Sequence, residues 1–218
     1  MQGFFIALFI LVSLVHLYGS YRDKQSVRNV SKGLILLCLA GYYIFSVEHV
    51  WWLVLAALFF SWLGDVLLML KNGFAAGGIS FMASHICFIL IYLPQVQFAA
   101  VPWYVYAAVV IVYGLAVFFV FRELRGHIPD KLYAPMCLYL IVNGAMNGFA
   151  LMQLISQPSL ATAMVFIGAL LFFLSDSTLF IVRFHKTKRV WRRHFLVMLT
   201  YIIAEYLIVQ GIVLMSRL

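Results

Sequence analysis

Two aspartates, Asp65 and Asp176, lie inside long apolar runs (Phe59–Leu70 and Leu170–Val182), and a third carboxyl, Glu205, lies in another. A carboxylate in hydrocarbon costs roughly 2.5–3.5 kcal/mol at a helix centre on insertion scales, and less toward the interface. A chain that carries three such groups must gather them into a polar interior. There they can give and take protons, either for acid–base catalysis or for proton-coupled transport. A lone intramembrane aspartate can serve structure, by bonding a neighbouring backbone or a lysine, as readily as function. Two of them, joined by a histidine and a glutamate, point to function.

Helical spacing arranges further polar residues on faces. Ser61 lies one turn before Asp65, with Gly64 beside it. Gly78, Phe81, His85 and Tyr92 follow one stripe, and Tyr139, Asn143, Met146 and Asn147 another. Tyr201 shares a face with Glu205, and Lys32 opens a span at its basic end. Counted by depth, Lys32, Asp65, Asp176, Tyr133 and Tyr139 fall in the basic half of the membrane, and His85 and Glu205 nearer its middle. Lipid would satisfy none of these groups, so they are expected to be buried together.

The elements that position them follow from composition. Of 218 residues, 66% are hydrophobic and 10% charged, far from the balance of a soluble domain. Eight stretches match the roughly 20 residues needed to cross a bilayer: 2–20, 30–46, 51–70, 77–94, 101–121, 132–154, 160–182 and 194–215. The expected fold is all-α, a polytopic membrane protein of eight transmembrane helices forming one integral unit over 1–218.

Arg22, Lys24, Arg28 and Lys32 follow span one, and Lys71 follows span three. Arg122, Arg125 and Lys131 follow span five; Arg183, Lys186, Lys188, Arg189, Arg192 and Arg193 follow span seven. Every lysine and arginine except Arg217 thus falls on one side, which the positive-inside rule makes cytoplasmic, with both termini outside. The basic loops are topology signals first and anionic-lipid contacts second, and nucleic acid is not an expected partner. The chain reads as a multi-pass protein of the cell membrane. Its first span lacks a basic n-region and a small-residue cleavage site, so it is expected to stay attached.

Other motifs carry less. Asn72–Gly78 reads as a glycine-rich hairpin turn rather than a phosphate cradle, and Gly144 and Gly148 as small-residue helix packing. Cys38, Cys87 and Cys137 lie within spans at no metal-like spacing. His16 and His85 are the only histidines in the interior of a span, with no HExxH pattern, so no metal is expected. Ser61 and Ser175 lack a nucleophile elbow. Spans three and seven each carry an aspartate, and the spans that follow carry His85 and Glu205, which fits a four-plus-four repeat.

The blocks Lys32, Ser61-Trp62-Leu63-Gly64-Asp65, Gly78-Ile79-Ser80-Phe81 with His85 and Tyr92, Gly168 through Asp176, and Tyr201 with Ala204-Glu205 resemble the YhhN-like family of membrane proteins across essentially the whole chain. Two positions depart from that pattern. Lys32-Gly33 stands where the family usually has Lys-Pro, and Ala204-Glu205 where it usually has Ala-Gln.

Animal members of the family are lysoplasmalogenases. The resemblance therefore implies cleavage of the vinyl ether of a lysoplasmalogen, giving a fatty aldehyde and a glycerophospho-alcohol without a cofactor. Such chemistry needs a carboxylic acid to protonate a carbon and a carboxylate to stabilise the resulting cation, the pairing glycosidases use. Two carboxyls sharing a low-dielectric site resist ionising together, which keeps one of them protonated. The expected catalytic residues are Asp65, Asp176 and His85. Lys32 would hold the substrate phosphate and Tyr139 would orient water or substrate. Ser61, Phe81, Tyr92, Asn143, Ser175, Tyr201 and Glu205 complete the expected substrate site. The partners implied are a lysophospholipid and the surrounding membrane lipids, in a bacterial inner membrane. A proton-coupled transporter of lipids or small molecules is the competing reading. No span is visibly broken by a Pro–Gly pair, since Pro94, Pro102 and Pro135 are placed near helix ends.

Overall fold

The computed structural model describes residues 1–185 and 192–217. Eight α-helices account for most of them: α1 (Gln2–Tyr21), α2 (Gln25–Ile44), α3 (Trp52–Met69), α4 (Phe74–Tyr92), α5 (Trp103–Leu124), α6 (Asp130–Ser156), α7 (Leu160–Phe184) and α8 (Arg193–Met215). Two short 3-10 turns, Leu93–Gln95 and Phe98–Ala100, join α4 to α5. Seven of the eight helices are long and apolar enough to cross a membrane.

The eighth, α2, is as long as α1 but begins with Gln25, Arg28, Asn29 and Lys32. These turns are polar yet helical, so the helix starts before the apolar stretch that reveals it. At 1.5 Å per residue its 20 residues extend about 30 Å, and it runs beside α1 and α3 from one end of the bundle to the other. The basic loops Lys186, Lys188 and Arg189 lie outside the described residues, as does the Arg193 side chain.

Turns confirm that the chain alternates between two ends. At the basic end Arg192 Nη1 donates to Tyr21 O (3.2 Å), and the His127 and His185 rings stack at 4.3 Å. At the opposite end Arg217 Nη2 reaches Ser46 O (3.4 Å) and Gln157 Nε2 donates to Gln95 O (2.7 Å). The stretch expected as a glycine loop is shorter than it reads: α4 begins at Phe74, and Gly77 is helical, its Cβ position 3.2 Å from Gly64 O. Pro135, expected near a helix end, lies within α6, in its second turn.

Packing closes α1, α2, α3, α4, α6, α7 and α8 into a ring in that order, with α8 returning to α1 and also touching α2. Helix α5 stands outside the ring against α6 and α7, and only Val105, Phe121 and Leu124 of its length are buried. The halves α1–α4 and α5–α8 repeat a pattern of neighbours: α1 on α2, α2 on α3, α3 on α4 and α4 on α6 correspond to α5 on α6, α6 on α7, α7 on α8 and α8 on α2. This is the relation a four-plus-four repeat predicts. The break comes at α1 and α5, since α1 seals the ring and α5 does not.

Helices α7 and α8 approach closely because glycine permits it. A Cβ at Gly168 would stand 2.8 Å from Ala204 O, and one at Gly211 would stand 2.6 Å from Ala161 O. That approach brings Asp176 and Glu205 of adjacent helices into one interior.

Candidate active site

The buried polar groups of the ring lie on its inner faces: Asp65, Asp176 and Glu205, with His85, Ser61, Ser84, Asn143 and Asn147. Each aspartate has its own set of partners. Asp65 Oδ1 pairs with Lys32 Nζ at 3.0 Å, and its Oδ2 accepts from the Tyr201 hydroxyl at 2.9 Å. Asp176 Oδ2 accepts from the Tyr139 hydroxyl (2.5 Å) and from Asn143 Nδ2 (2.8 Å), while His85 Nε2 stands 3.6 Å away. Asp65 is thus an ion pair, and Asp176 is held by neutral donors.

The amide that meets Asp176 is oriented from behind. Tyr113 donates to Asn147 Oδ1 (3.0 Å), and Asn147 Nδ2 donates to Asn143 Oδ1 (3.1 Å). This fixes the Asn143 oxygen away from the carboxylate and its nitrogen toward it.

No hydrogen bond joins the two aspartates among the described residues, but they are electrostatic neighbours. An aromatic wall connects them. The Phe172 ring lies 4.8 Å from His85 and 5.4 Å from Tyr201, Phe81 packs 5.9 Å from Tyr201, and His85 meets Tyr139 at 5.2 Å. Both ring nitrogens of His85 are buried without a hydrogen-bond partner among the described residues.

Glu205 sits beside Ser61 and Tyr201, with neither oxygen in a well-formed hydrogen bond. Ser61 instead shares a 2.8 Å bond with Ser84. Tyr92 is fully buried in the same neighbourhood as Glu205. Ser175 turns the other way, donating to Val197 O at 2.9 Å and tying α7 to α8. Lys32, expected to hold a phosphate, is taken up by Asp65. Among the described residues no three His, Cys, Asp or Glu side chains converge as a metal site requires.

Two clefts lead toward this interior. One, of about 630 Å³, runs between α4 and α6; it is lined by Gly78, Met82, Ala134 and Pro135, with Phe81 and Tyr139 among its walls and Lys131 at its rim. Ile79 and Leu138, both more than half exposed, also border it, so it opens sideways toward lipid. The other, of about 520 Å³, opens at the basic end among Arg28, Lys32, Lys71, Arg183 and His194, with His16 and Ser20 behind them. A smaller space of about 260 Å³ shares Leu68 with both, Phe74 with the first and Lys32 with the second. The two clefts share Leu68; Lys32, the partner of Asp65, lines the basic vestibule, and Tyr139, a donor to Asp176, walls the apolar side channel.

The stripe spacing found the acids and most of their donors but missed the vestibule. Ser13, His16 and Ser20 on α1, at three- and four-residue steps, are all buried; that spacing was the signal for a polar face. Ser84, one residue before His85, was also passed over.

A family model described as the YhhN family matches residues 27–212. No curated protein and no solved structure matches the chain.

Proposed function

We propose, from the premise that this chain belongs to the YhhN family, that it is a membrane hydrolase that cleaves the vinyl ether of a lysophospholipid. The observation that carries this reading is the unequal pair of carboxyls whose partners open on two adjoining clefts: Lys32, paired with Asp65, lines a basic vestibule, and Tyr139, bonded to Asp176, walls an apolar side cleft. A single-chain lipid fits such a junction, its tail lying between α4 and α6 and its phosphate at the basic mouth. The site belongs to a multi-pass membrane protein, and we place it in a bacterial inner membrane with the basic end cytoplasmic.

The partners of the acids suggest their roles. Asp65 is charge-paired with Lys32 and acts as the standing carboxylate. Asp176 has no lysine or arginine within 4.0 Å among the described residues and is the proton carrier. Asp176 donates a proton to the β-carbon of the vinyl ether, leaving an oxocarbenium ion that the Asp65 carboxylate stabilises. Water adds to the cationic carbon and returns a proton to Asp176. The hemiacetal then moves its hydroxyl proton to the ether oxygen as the C–O bond breaks. The products are a fatty aldehyde and a glycerophospho-alcohol, with one water consumed. His85 and Tyr139 face the Asp176 side of this sequence, and Glu205 lies behind Asp65 near Tyr201.

The test is direct. Purified protein is incubated with a lysoplasmalogen and fatty aldehyde is measured. Aldehyde from the wild type, lost in both Asp65→Asn and Asp176→Asn, is the expected result. No aldehyde, with proton-driven uptake of lipid into liposomes, would replace the hydrolase by a carrier.

A further inference from the structure

The basic vestibule is lined by cations without a place for another. Arg28, Lys32, Lys71 and Arg183 border it, and among the described residues no carboxylate does. Two acids that contact its lining are already matched: Asp23 is bonded to Arg28 at 2.7 Å and Asp65 to Lys32 at 3.0 Å. A quaternary ammonium can also be received by aromatic faces, but three rings at this end already carry the protein's own cations: Lys24 over Tyr18, Arg183 over Phe74 and Arg192 over Tyr21 at 4.1 Å.

The back wall adds hydrogen-bonding capacity. His16 and Ser20 are buried and line the vestibule, and His16 Nε2 and Ser20 Oγ have no partner among the described residues. Ser31 Oγ gives its proton to Val27 O (2.6 Å), so the 2.9 Å contact between His16 Nδ1 and Ser31 Oγ has the histidine as donor. In the neutral ring Nε2 is then an acceptor. Buried polar atoms left unmatched are destabilising, which marks this wall as a place where a ligand's hydroxyl docks.

We infer that the vestibule selects single-chain lipids whose head group carries net negative charge, such as a phosphate monoester or phosphoglycerol, over zwitterionic choline or ethanolamine heads. Phosphate oxygens meet Lys71, Arg183 and Arg28, a hydroxyl of the glycerol portion meets His16 and Ser20, and an ammonium meets no carboxylate among the described residues that line the vestibule. This rests on the lysolipid reading above and narrows it to a substrate class.

The experiment uses the full chain in neutral-lipid nanodiscs. Binding of dodecyl phosphate, dodecylphosphocholine and inorganic phosphate is measured by calorimetry. Two basic residues near a surface are together worth enough for roughly tenfold tighter binding of the alkyl phosphate. That preference should fall in Lys71→Gln with Arg183→Gln, and in wild type as salt is raised. Equal or tighter binding of the phosphocholine overturns the inference. So does inorganic phosphate that binds as tightly as the alkyl phosphate, which would mark a free-anion site. Turnover separates this from the chemistry. Aldehyde released equally from choline and phosphoglycerol lysoplasmalogens removes the head-group selection and leaves the hydrolase. A binding preference without aldehyde from any substrate keeps the vestibule and removes the reaction.

Discussion

Asp65 and Asp176 occupy comparable places on α3 and α7, yet one is clamped by an ammonium and the other by a phenol and an amide. If the two do different work, their loss should look different. Each aspartate-to-asparagine change is expected to lower aldehyde turnover by at least ~100-fold. Asp65→Asn should also destabilise the fold, because it strands Lys32 beside a neutral amide; removing one partner of a buried pair costs about 3–5 kcal/mol. Asp176→Asn strands no cation and should unfold nearer the wild-type temperature. Thermal unfolding in detergent separates the two, and equal losses of stability would contradict the ion pair. Replacing both partners, Lys32→Met with Asp65→Leu, should restore the melting temperature without restoring turnover. Tyr201→Phe removes a single hydrogen bond to Asp65 and should cost about 1 kcal/mol. At this scale the sequence showed which residue types were out of place in hydrocarbon. It did not show that Lys32 meets Asp65, because a pairing between two helices depends on their rotation and neighbours, which one chain's periodicity leaves open.

Among the elements, the tight seam between α7 and α8 sets the spacing of the interior. Gly168→Val is expected to push against the Ala204 carbonyl and lower both stability and activity, whereas Gly114→Ala, with open space around it, should leave the melting temperature unchanged. Normal melting of Gly168→Val would show that this seam gives way easily. The side cleft between α4 and α6 offers a second test. Gly78 lines it and has nothing near its Cβ position, so Gly78→Leu fills the space without a clash. It should raise KM for a long-chain substrate more than for a short-chain one. The helices themselves were legible, since apolar length announces a span. Their ends were less so where polar turns stay helical, as at Gln25–Lys32 of α2 and Phe74–Gly77 of α4. The order of the helices around the ring was not legible, because most core-facing residues are as apolar as the lipid-facing ones and the pattern that separates them in soluble proteins is muted.

Over the whole molecule, the charge asymmetry read from the loops corresponds to the two ends joined by the Tyr21–Arg192 and Ser46–Arg217 contacts. Single cysteines introduced as Lys71→Cys and Phe98→Cys should therefore react with an impermeant maleimide from opposite sides of sealed vesicles, Lys71→Cys from the cytoplasmic side. Labelling of both from one side would overturn the alternation.

The repeated pattern of neighbours has a practical corollary. Asp65 takes one partner from α2 and another from α8, and Asp176 takes its donors from α6 while facing His85 of α4. Each acid is thus attended by both halves of the chain, its own and the other. Severing the backbone between α4 and α5 would leave two four-helix fragments, neither owning a finished centre. Activity from such a bisected protein should appear only on co-expression, as mutual rescue between strangers made from one gene.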